Sequence, residues 1–284
     1  QGDRSVAINA SVAKVNTESI VKADPKNWLS TGRTYDEQRH SPLKQINDTN
    51  ISELGLAWSW ETNTKRGLES TPIVVDGVMF NSGTWSTVWA HDARTGEILW
   101  EFDPEVPRSW GRYACCDVVN RGVAAWEGKI FVGTIDGRLI ALNAGDGTIA
   151  WSVKTTPPDK PYTITGAPRV VDGKVIIGNG GAEYGVRGFV TAYDAANGEQ
   201  LWRFYTVPGN PDDGFESKAM EEAATMLALA YNEKISPNRI CWNRVARGMI
   251  KTSLVLAHRG RKLKDWLKSD TARGNCKLIE GYHM

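Results

Sequence analysis

The sequence predicts an all-β protein built from repeated four-stranded sheets, the blades of a β-propeller. Three observations predict it: a gapless repeat with a period of 51 residues, glycine-centred turns at fixed places inside that repeat, and a tryptophan closing each copy. The copies are Ala90-His-Asp-Ala-Arg-Thr-Gly-Glu-Ile-Leu-Trp100, Ala141-Leu-Asn-Ala-Gly-Asp-Gly-Thr-Ile-Ala-Trp151 and Ala192-Tyr-Asp-Ala-Ala-Asn-Gly-Glu-Gln-Leu-Trp202. Each reads as a strand, a tight turn on Thr-Gly, Asp-Gly or Asn-Gly, and a second strand whose final Trp packs back. A further strand pair precedes each hairpin, as in Gly128-Lys-Ile-Phe-Val-Gly-Thr followed by Arg138-Leu-Ile-Ala-Leu, and in Gly173-Lys-Val-Ile-Ile-Gly before the loop at 179–188. Short alternating strands at this period describe four-stranded blades. The repeated Trp100, Trp151 and Trp202 are therefore read as staples between neighbouring sheets, not as a cofactor box. One more strand is expected at Leu56-Ala-Trp-Ser-Trp-Glu61. Propellers close with about four to eight blades, and near residue 253 the sequence reads Lys251-Thr-Ser-Leu-Val-Leu with no fourth Trp motif. The propeller is expected to be incomplete, with about three blades.

Composition sets outer limits. A chain of 284 residues, 41% hydrophobic and 24% charged, is long enough for one large β domain or two ordinary ones. A net charge of +1 gives no electrostatic case for nucleic acid or an anionic membrane. No run approaches a membrane span, and Gln1-Gly2-Asp3 has neither a basic nor an apolar leader region, so the chain is either cytosolic or written without its signal peptide. The four cysteines fit no Cys-x-x-Cys zinc pattern, and no Cys-x-x-Cys-His haem attachment occurs.

Two of those cysteines, Cys115 and Cys116, are adjacent within Gly-Arg-Tyr-Ala-Cys-Cys-Asp-Val-Val-Asn-Arg-Gly. Consecutive α-carbons lie about 3.8 Å apart, below the roughly 4.4 to 6.8 Å usual for a disulfide. A bond between them closes a strained, stiff ring and contributes almost nothing through loop entropy. Two readings stand on these residues: a rigid sulfur surface or redox pair, and two reduced, partly buried thiols whose adjacency is accidental.

Several motifs in one order carry a resemblance. Trp28–Ile46, Glu69-Ser-Thr-Pro72, the Cys-Cys-Asp-Val-Val-Asn-Arg-Gly segment, Tyr162-Thr-Ile-Thr-Gly-Ala-Pro168 and Gly178-Asn-Gly-Gly-Ala-Glu-Tyr-Gly-Val-Arg-Gly188 together resemble the pyrroloquinoline quinone (PQQ)-dependent alcohol dehydrogenases. Those are periplasmic, eight-bladed bacterial propellers, and the match is nearest to the soluble quinohaemoprotein branch, in which a cytochrome c domain follows the propeller. The resemblance implies hydride transfer from an alcohol to calcium-bound PQQ, with electrons leaving to a cytochrome or haem c acceptor. It implies that Cys115 and Cys116 form a vicinal disulfide against one face of the cofactor, which calls for an oxidising, periplasmic location. Arg121 corresponds to the arginine on a cofactor carboxylate, where a planar fork of donors suits the partner. Glu69 and Thr165 match positions on the cofactor edge, Gly181 and Ala182 match a close backbone approach, and Glu183 matches a calcium ligand. Taken singly, each of these is an ordinary loop residue. A non-enzymatic propeller scaffold is the alternative from another class; it needs the tryptophans but not Cys115, Cys116, Arg121 or Glu183.

The organisation expected is an N-terminal extension at 1–25, a partial propeller at 26–224 and a tail at 225–284. The tail holds twelve Lys/Arg against four Asp/Glu, so the rest of the chain is net acidic. The change of composition coincides with the end of the resemblance and falls inside a blade. The tail is read as foreign to the fold, through a shifted frame or a truncated gene, which would leave an inactive member of the lineage; the other reading is a basic amphipathic helix around Trp266-Leu267. The family's aspartate base, asparagine calcium ligand and covering tryptophan are expected beyond the matching region. Asp265, Asp270, Asn243 and Trp242 do not fill those roles, because their contexts differ.

Overall fold

The computed structural model of the chain describes residues 2–62 and 64–207, and Gln1–Thr206 form one compact unit. Two short helices, α1 (Gly2–Val12) and α2 (Thr17–Lys22), precede three four-stranded antiparallel sheets. The first sheet is β1 (Ile73–Val75), β2 (Val78–Ser82), β3 (Val88–Asp92) and β4 (Ile98–Phe102). The second is β5 (Ala124–Trp126), β6 (Lys129–Gly133), β7 (Arg138–Asn143) and β8 (Ile149–Lys154). The third is β9 (Arg169–Val171), β10 (Lys174–Gly178), β11 (Phe189–Asp194) and β12 (Gln200–Tyr205). Each is a meander in chain order, as expected of propeller blades.

The repeat survives down to backbone irregularities. In all three blades the register shifts at the same place, between Ala90 and His91, Ala141 and Leu142, and Ala192 and Tyr193. The turn that follows holds a glycine in the left-handed region: Gly96 at φ 78°, Gly147 at φ 73° and Gly198 at φ 77°. That residue must be glycine for a second reason, because the Trp of the preceding repeat lies flat on it. A methyl group on Gly147 would stand 2.7 Å from the Trp100 ring, and one on Gly198 would stand 2.8 Å from Trp151. The indole N–H completes the contact: Trp100 Nε1 donates to the Ala144 carbonyl at 2.9 Å, and Trp151 Nε1 to the Ala195 carbonyl at 3.2 Å. One blade's last strand is thus pinned to the next blade's turn by stacking and a hydrogen bond, which is why Trp and Gly recur together.

Leu56–Glu61 corrects one expectation. It forms no strand, since it has no ladder partner among the described residues. Trp58 nevertheless docks as the repeated tryptophans do, with Nε1 donating to the Ala93 carbonyl at 3.1 Å and its ring covering Gly96. Trp60 packs edge-on to Trp89 beside it.

The core runs between blades through Ile73, Phe80, Val88, Ile130, Phe131, Leu139, Ile140 and Val175, all fully buried. The third strand of each blade is largely buried, while β4, β8 and β12 carry the exposed residues. The helices close the end that carries the tight turns. Arg4 pairs with Asp92 at 2.7 Å and Glu97 at 2.9 Å, Asn9 accepts from the Gly145 N–H, and Thr17 accepts from the Asp172 N–H, so all three blades are touched. Asn16 caps α2 in a reciprocal box with Ser19. No helix among the described residues is long and apolar enough to cross a membrane.

The aspartates of these turns make folding sensitive to acid. Asp92 is held below the usual carboxylate range first by the Arg94 N–H, and Asp146 by the Thr148 hydroxyl and then its N–H. A depressed folded value gives stability that is present above the unfolded pKa, about 3.9, and lost as pH falls through the folded value. Thermal midpoints are expected to hold from neutrality to about pH 4 and fall below it. Asp146→Asn, which keeps an acceptor oxygen but does not titrate, is expected to flatten that fall; an unchanged acid profile would discount the turn carboxylates.

Candidate functional site

The helices and tight turns occupy one end of the meanders, which leaves the longer connections and the segments leading into β1, β5 and β9 at the other. Those lead-in segments are laced together by backbone bonds. The Thr71 N–H donates to the Arg121 carbonyl at 3.3 Å, the Arg121 N–H donates to the Thr165 carbonyl at 2.9 Å, and Thr71 and Gly122 form an isolated parallel bridge. Side chains repeat the same connection. Arg121 Nη2 pairs with Glu69 Oε2 at 2.9 Å, and Arg121 Nη1 donates to Thr165 Oγ1 at 2.6 Å. Three predicted residues from three blades therefore meet at one guanidinium. The pair is open to solvent, at 43% exposure for Arg121 and 42% for Glu69, so its fork is accessible to an anion.

Asn120, which the sequence reading did not single out, fixes the base of this arrangement. It is buried; its Nδ2 donates to the Gly133 carbonyl at 2.8 Å, while Oδ1 accepts from Ser82 Oγ at 2.7 Å and from the Gly122 N–H at 3.1 Å. The one signal for it was an amide set between Val118-Val119 and Arg121-Gly122, where a buried polar group needs its partners supplied. Gly122, at φ 131°, allows a carbonyl approach that a side chain would block.

Cys115 and Cys116 lie in the β4–β5 connection, exposed and unbridged, with Sγ atoms 2.7 Å apart. The two sulfurs that the resemblance implies as a pair lie side by side. The Glu183 carboxylate is near enough to the Cys115 thiol to act on its titration. Hydrogen bonding to Cys116 first, then desolvation and the neighbouring Cys116 and Glu183, push Cys115 up to about 11. The next residue, Asp117, sits at φ 71° and pairs with Arg66. The Val118 N–H, ahead of Arg66, holds that carboxyl below its ordinary range. Beneath the loop a small cluster of Val106, Val118 and Ile135 packs with Trp85, Trp110 and Ala114. Trp85 and Ser86, consecutive and both at positive φ, form part of this support, a strained conformation of the kind found around functional loops.

Gly181 and Ala182 lead directly to Glu183 in the β10–β11 connection. Gly181, at φ 112°, lies so near the Pro161 carbonyl that a methyl group would come within 2.5 Å of it. Ala182–Tyr184 form one short helical turn, with Ala182 and Glu183 exposed. The predicted residues thus form two groups at the same end: Glu69, Arg121 and Thr165, and Cys115, Cys116 and Glu183 with its Gly181-Ala182 approach.

The donor set suits a flat, multiply carboxylated cofactor: an accessible guanidinium fork oriented from two sides, and a pair of polarizable sulfurs. For calcium the fit is partial. The cation takes about six to eight oxygens, and the described residues hold no cluster of three or more His, Cys, Asp or Glu able to ligate a metal. Glu183 would supply one carboxylate. Asp265, Asp270, Asn243 and Trp242, and the readings of the tail, lie outside the described residues.

Comparison with known proteins agrees with this chemistry. Residues 28–229 match the family described as glucose/ethanol/alcohol dehydrogenase, β-propeller domain, of PQQ proteins. The chain is 59% identical over 226 residues to quinohemoprotein alcohol dehydrogenase ADH-IIG of Pseudomonas putida, covering 78% of this chain and 32% of that protein. It is 54% identical over 198 residues to 1-butanol dehydrogenase (cytochrome c) of Thauera butanivorans, covering 69% and 28%. The crystal structure of quinohemoprotein alcohol dehydrogenase from Comamonas testosteroni superposes with a TM-score of 0.76 at 51% identity, covering 78% of this chain and 34% of that one. The chain spans about a third of the length of these relatives. With residues 28–229 matched and relatives more than half identical over most of its length, the chain belongs to the PQQ-dependent alcohol dehydrogenase β-propeller family.

Proposed function

We propose that these residues hold PQQ in an enzyme that oxidises an alcohol and passes the electrons to a cytochrome or haem c acceptor. The observation that carries this reading is the Arg121 fork, aimed by Glu69 and Thr165 and open to an anionic ligand. PQQ, when bound, supplies an orthoquinone carbonyl that accepts hydride from the alcohol. Arg121 neutralises a cofactor carboxylate, and Glu69 and Thr165 hold both the guanidinium and the cofactor edge. Cys115 and Cys116 give a rigid sulfur floor, joined as a disulfide in an oxidising periplasm. Gly181 and Ala182 allow the backbone close to the cofactor, and Glu183 contributes an oxygen to a calcium site. The base that takes the alcohol proton is expected to be an aspartate outside the described residues. The acceptor is a cytochrome or haem c group; this sequence contains no Cys-x-x-Cys-His attachment motif.

Quenching of tryptophan fluorescence by PQQ, with and without calcium, tests the reading. Calcium-dependent binding is expected, with alcohol-dependent dye reduction by the loaded protein. Cys115→Ala is expected to weaken binding about tenfold, or ~1.4 kcal/mol. A chain that binds no PQQ under conditions that load a full-length relative does not hold the cofactor. Thiol titration of protein exported to the periplasm tests the disulfide: two reactive thiols at positions 115 and 116 would count against the proposed floor and its location.

A further inference from the structure

Glu183 rides on a turn that is poorly anchored by its own backbone. Gly181 and Gly185, at φ 112° and 76°, flank Ala182–Tyr184 like hinges. Within the turn the bonds are local: the Tyr184 N–H donates to the Gly181 carbonyl at 2.9 Å and the Gly185 N–H to the Ala182 carbonyl at 3.1 Å. Among the described residues, a side-chain hydrogen bond ties the turn to the neighbouring blade. Tyr184 Oη donates to the Arg112 carbonyl at 2.8 Å, three residues before Cys115. Its ring meets Tyr113 edge-on at 5.7 Å, Tyr113 meets Trp110 edge-on at 5.5 Å, and the Arg112 guanidinium lies over Tyr113 at 4.7 Å. Trp110 belongs to the apolar cluster under the cysteine loop. The turn that carries the acid is therefore bolted to the loop that carries the sulfurs.

We propose that Tyr184 is a positioning residue, a latch between blades that holds the Glu183 carboxylate against the Cys115-Cys116 loop. The geometry gives each part of the side chain a task. The hydroxyl sets the distance between the two loops, and the edge-to-face ring stack sets the turn's tilt, an arrangement such rings favour at centroid separations of about 4.5 to 7 Å. Glycine hinges let the turn move as a unit when the latch opens, so Glu183 swings away without unfolding β10 or β11. The latch deepens the PQQ reading and rests on it in one respect, that Glu183 serves a calcium ion.

Tyr184→Phe removes the hydroxyl and keeps the ring. In the cofactor-free chain, amide hydrogen exchange is expected to rise about five-fold in residues 181–186 and 111–116, the equivalent of one hydrogen bond of ~1 kcal/mol, with β10 and β11 unchanged. In PQQ titrations the calcium concentration giving half-maximal binding is expected to rise by a similar factor, while PQQ affinity at saturating calcium stays that of the parent. Unchanged exchange in both loops would overturn the latch. So would a rise spread over the whole blade, or a loss of PQQ affinity equal at every calcium concentration. If the parent binds no PQQ, the cofactor reading fails and the exchange experiment alone decides the latch.

Discussion

Trp100→Ala is expected to cost ~3–5 kcal/mol of folding stability, the range for deleting a buried tryptophan, and to lower the melting midpoint by roughly 10 °C. The indole is 8% exposed, lies flat on Gly147 and donates to the Ala144 carbonyl. Truncation therefore empties the space between two blades and strands a carbonyl. Trp100→Phe separates the two losses: it keeps most of the ring and loses the bond, at a cost of ~1–3 kcal/mol for the unpaired acceptor. The same residue type at the same repeat position gives the control. Trp202 is 42% exposed, so Trp202→Ala is expected to cost less than half as much as Trp100→Ala. Denaturant midpoints for the three variants decide the matter. Equal losses at Trp100 and Trp202 would mean that the repeated tryptophan acts within its own blade, not between blades.

The contrast between these tryptophans also shows which parts of the fold were legible. The repeat could be read because its causes are local: a left-handed glycine, an Asx-type turn and an indole lie within eleven residues of each other. The docking of Trp58 was hidden because it stands 42 residues before Trp100, off the period, and works without a strand around it. The apolar alternation at Leu56–Glu61 was real, but a strand needs a partner edge that no described residue supplies. The N-terminal helices were not foreseen, because eleven and six residues are too few to be stable on their own. Their stability comes from burying Ile8, Val12 and Ile20 in the core, with Arg4, Asn9 and Thr17 reaching turns far away in sequence. At the site the same division holds. Arg121 and the cysteines announced themselves through motif and residue type. Asn120 works through Ser82, 38 residues earlier, and Asp117 through Arg66, 51 residues earlier, so neither partnership had a local signature.

Arg121→Ala is expected to weaken PQQ binding by roughly 10- to 150-fold, the span set by ~1.5–3 kcal/mol for a hydrogen bond to a charged group. Fold stability should scarcely change, because an ion pair exposed by about two-fifths on both sides contributes little to folding. That separation makes the variant diagnostic: the cost falls on the ligand and not on the scaffold. Arg121→Lys keeps the charge but offers one compact ammonium where the guanidinium reaches Glu69, Thr165 and an incoming carboxylate in different directions. It is expected to recover only part of the loss, about tenfold below the parent. Glu69→Gln tests the aim of the fork. If Glu69 serves to orient Arg121, the double variant Glu69→Gln, Arg121→Ala binds no worse than Arg121→Ala alone; if Glu69 meets the cofactor by itself, the two losses add. Fluorescence titration at two ionic strengths reads the four variants and the parent, and screening should weaken the parent more than Arg121→Ala. An Arg121→Ala protein that binds PQQ within twofold of the parent would remove the guanidinium from the cofactor site and leave it as a tie between three blades.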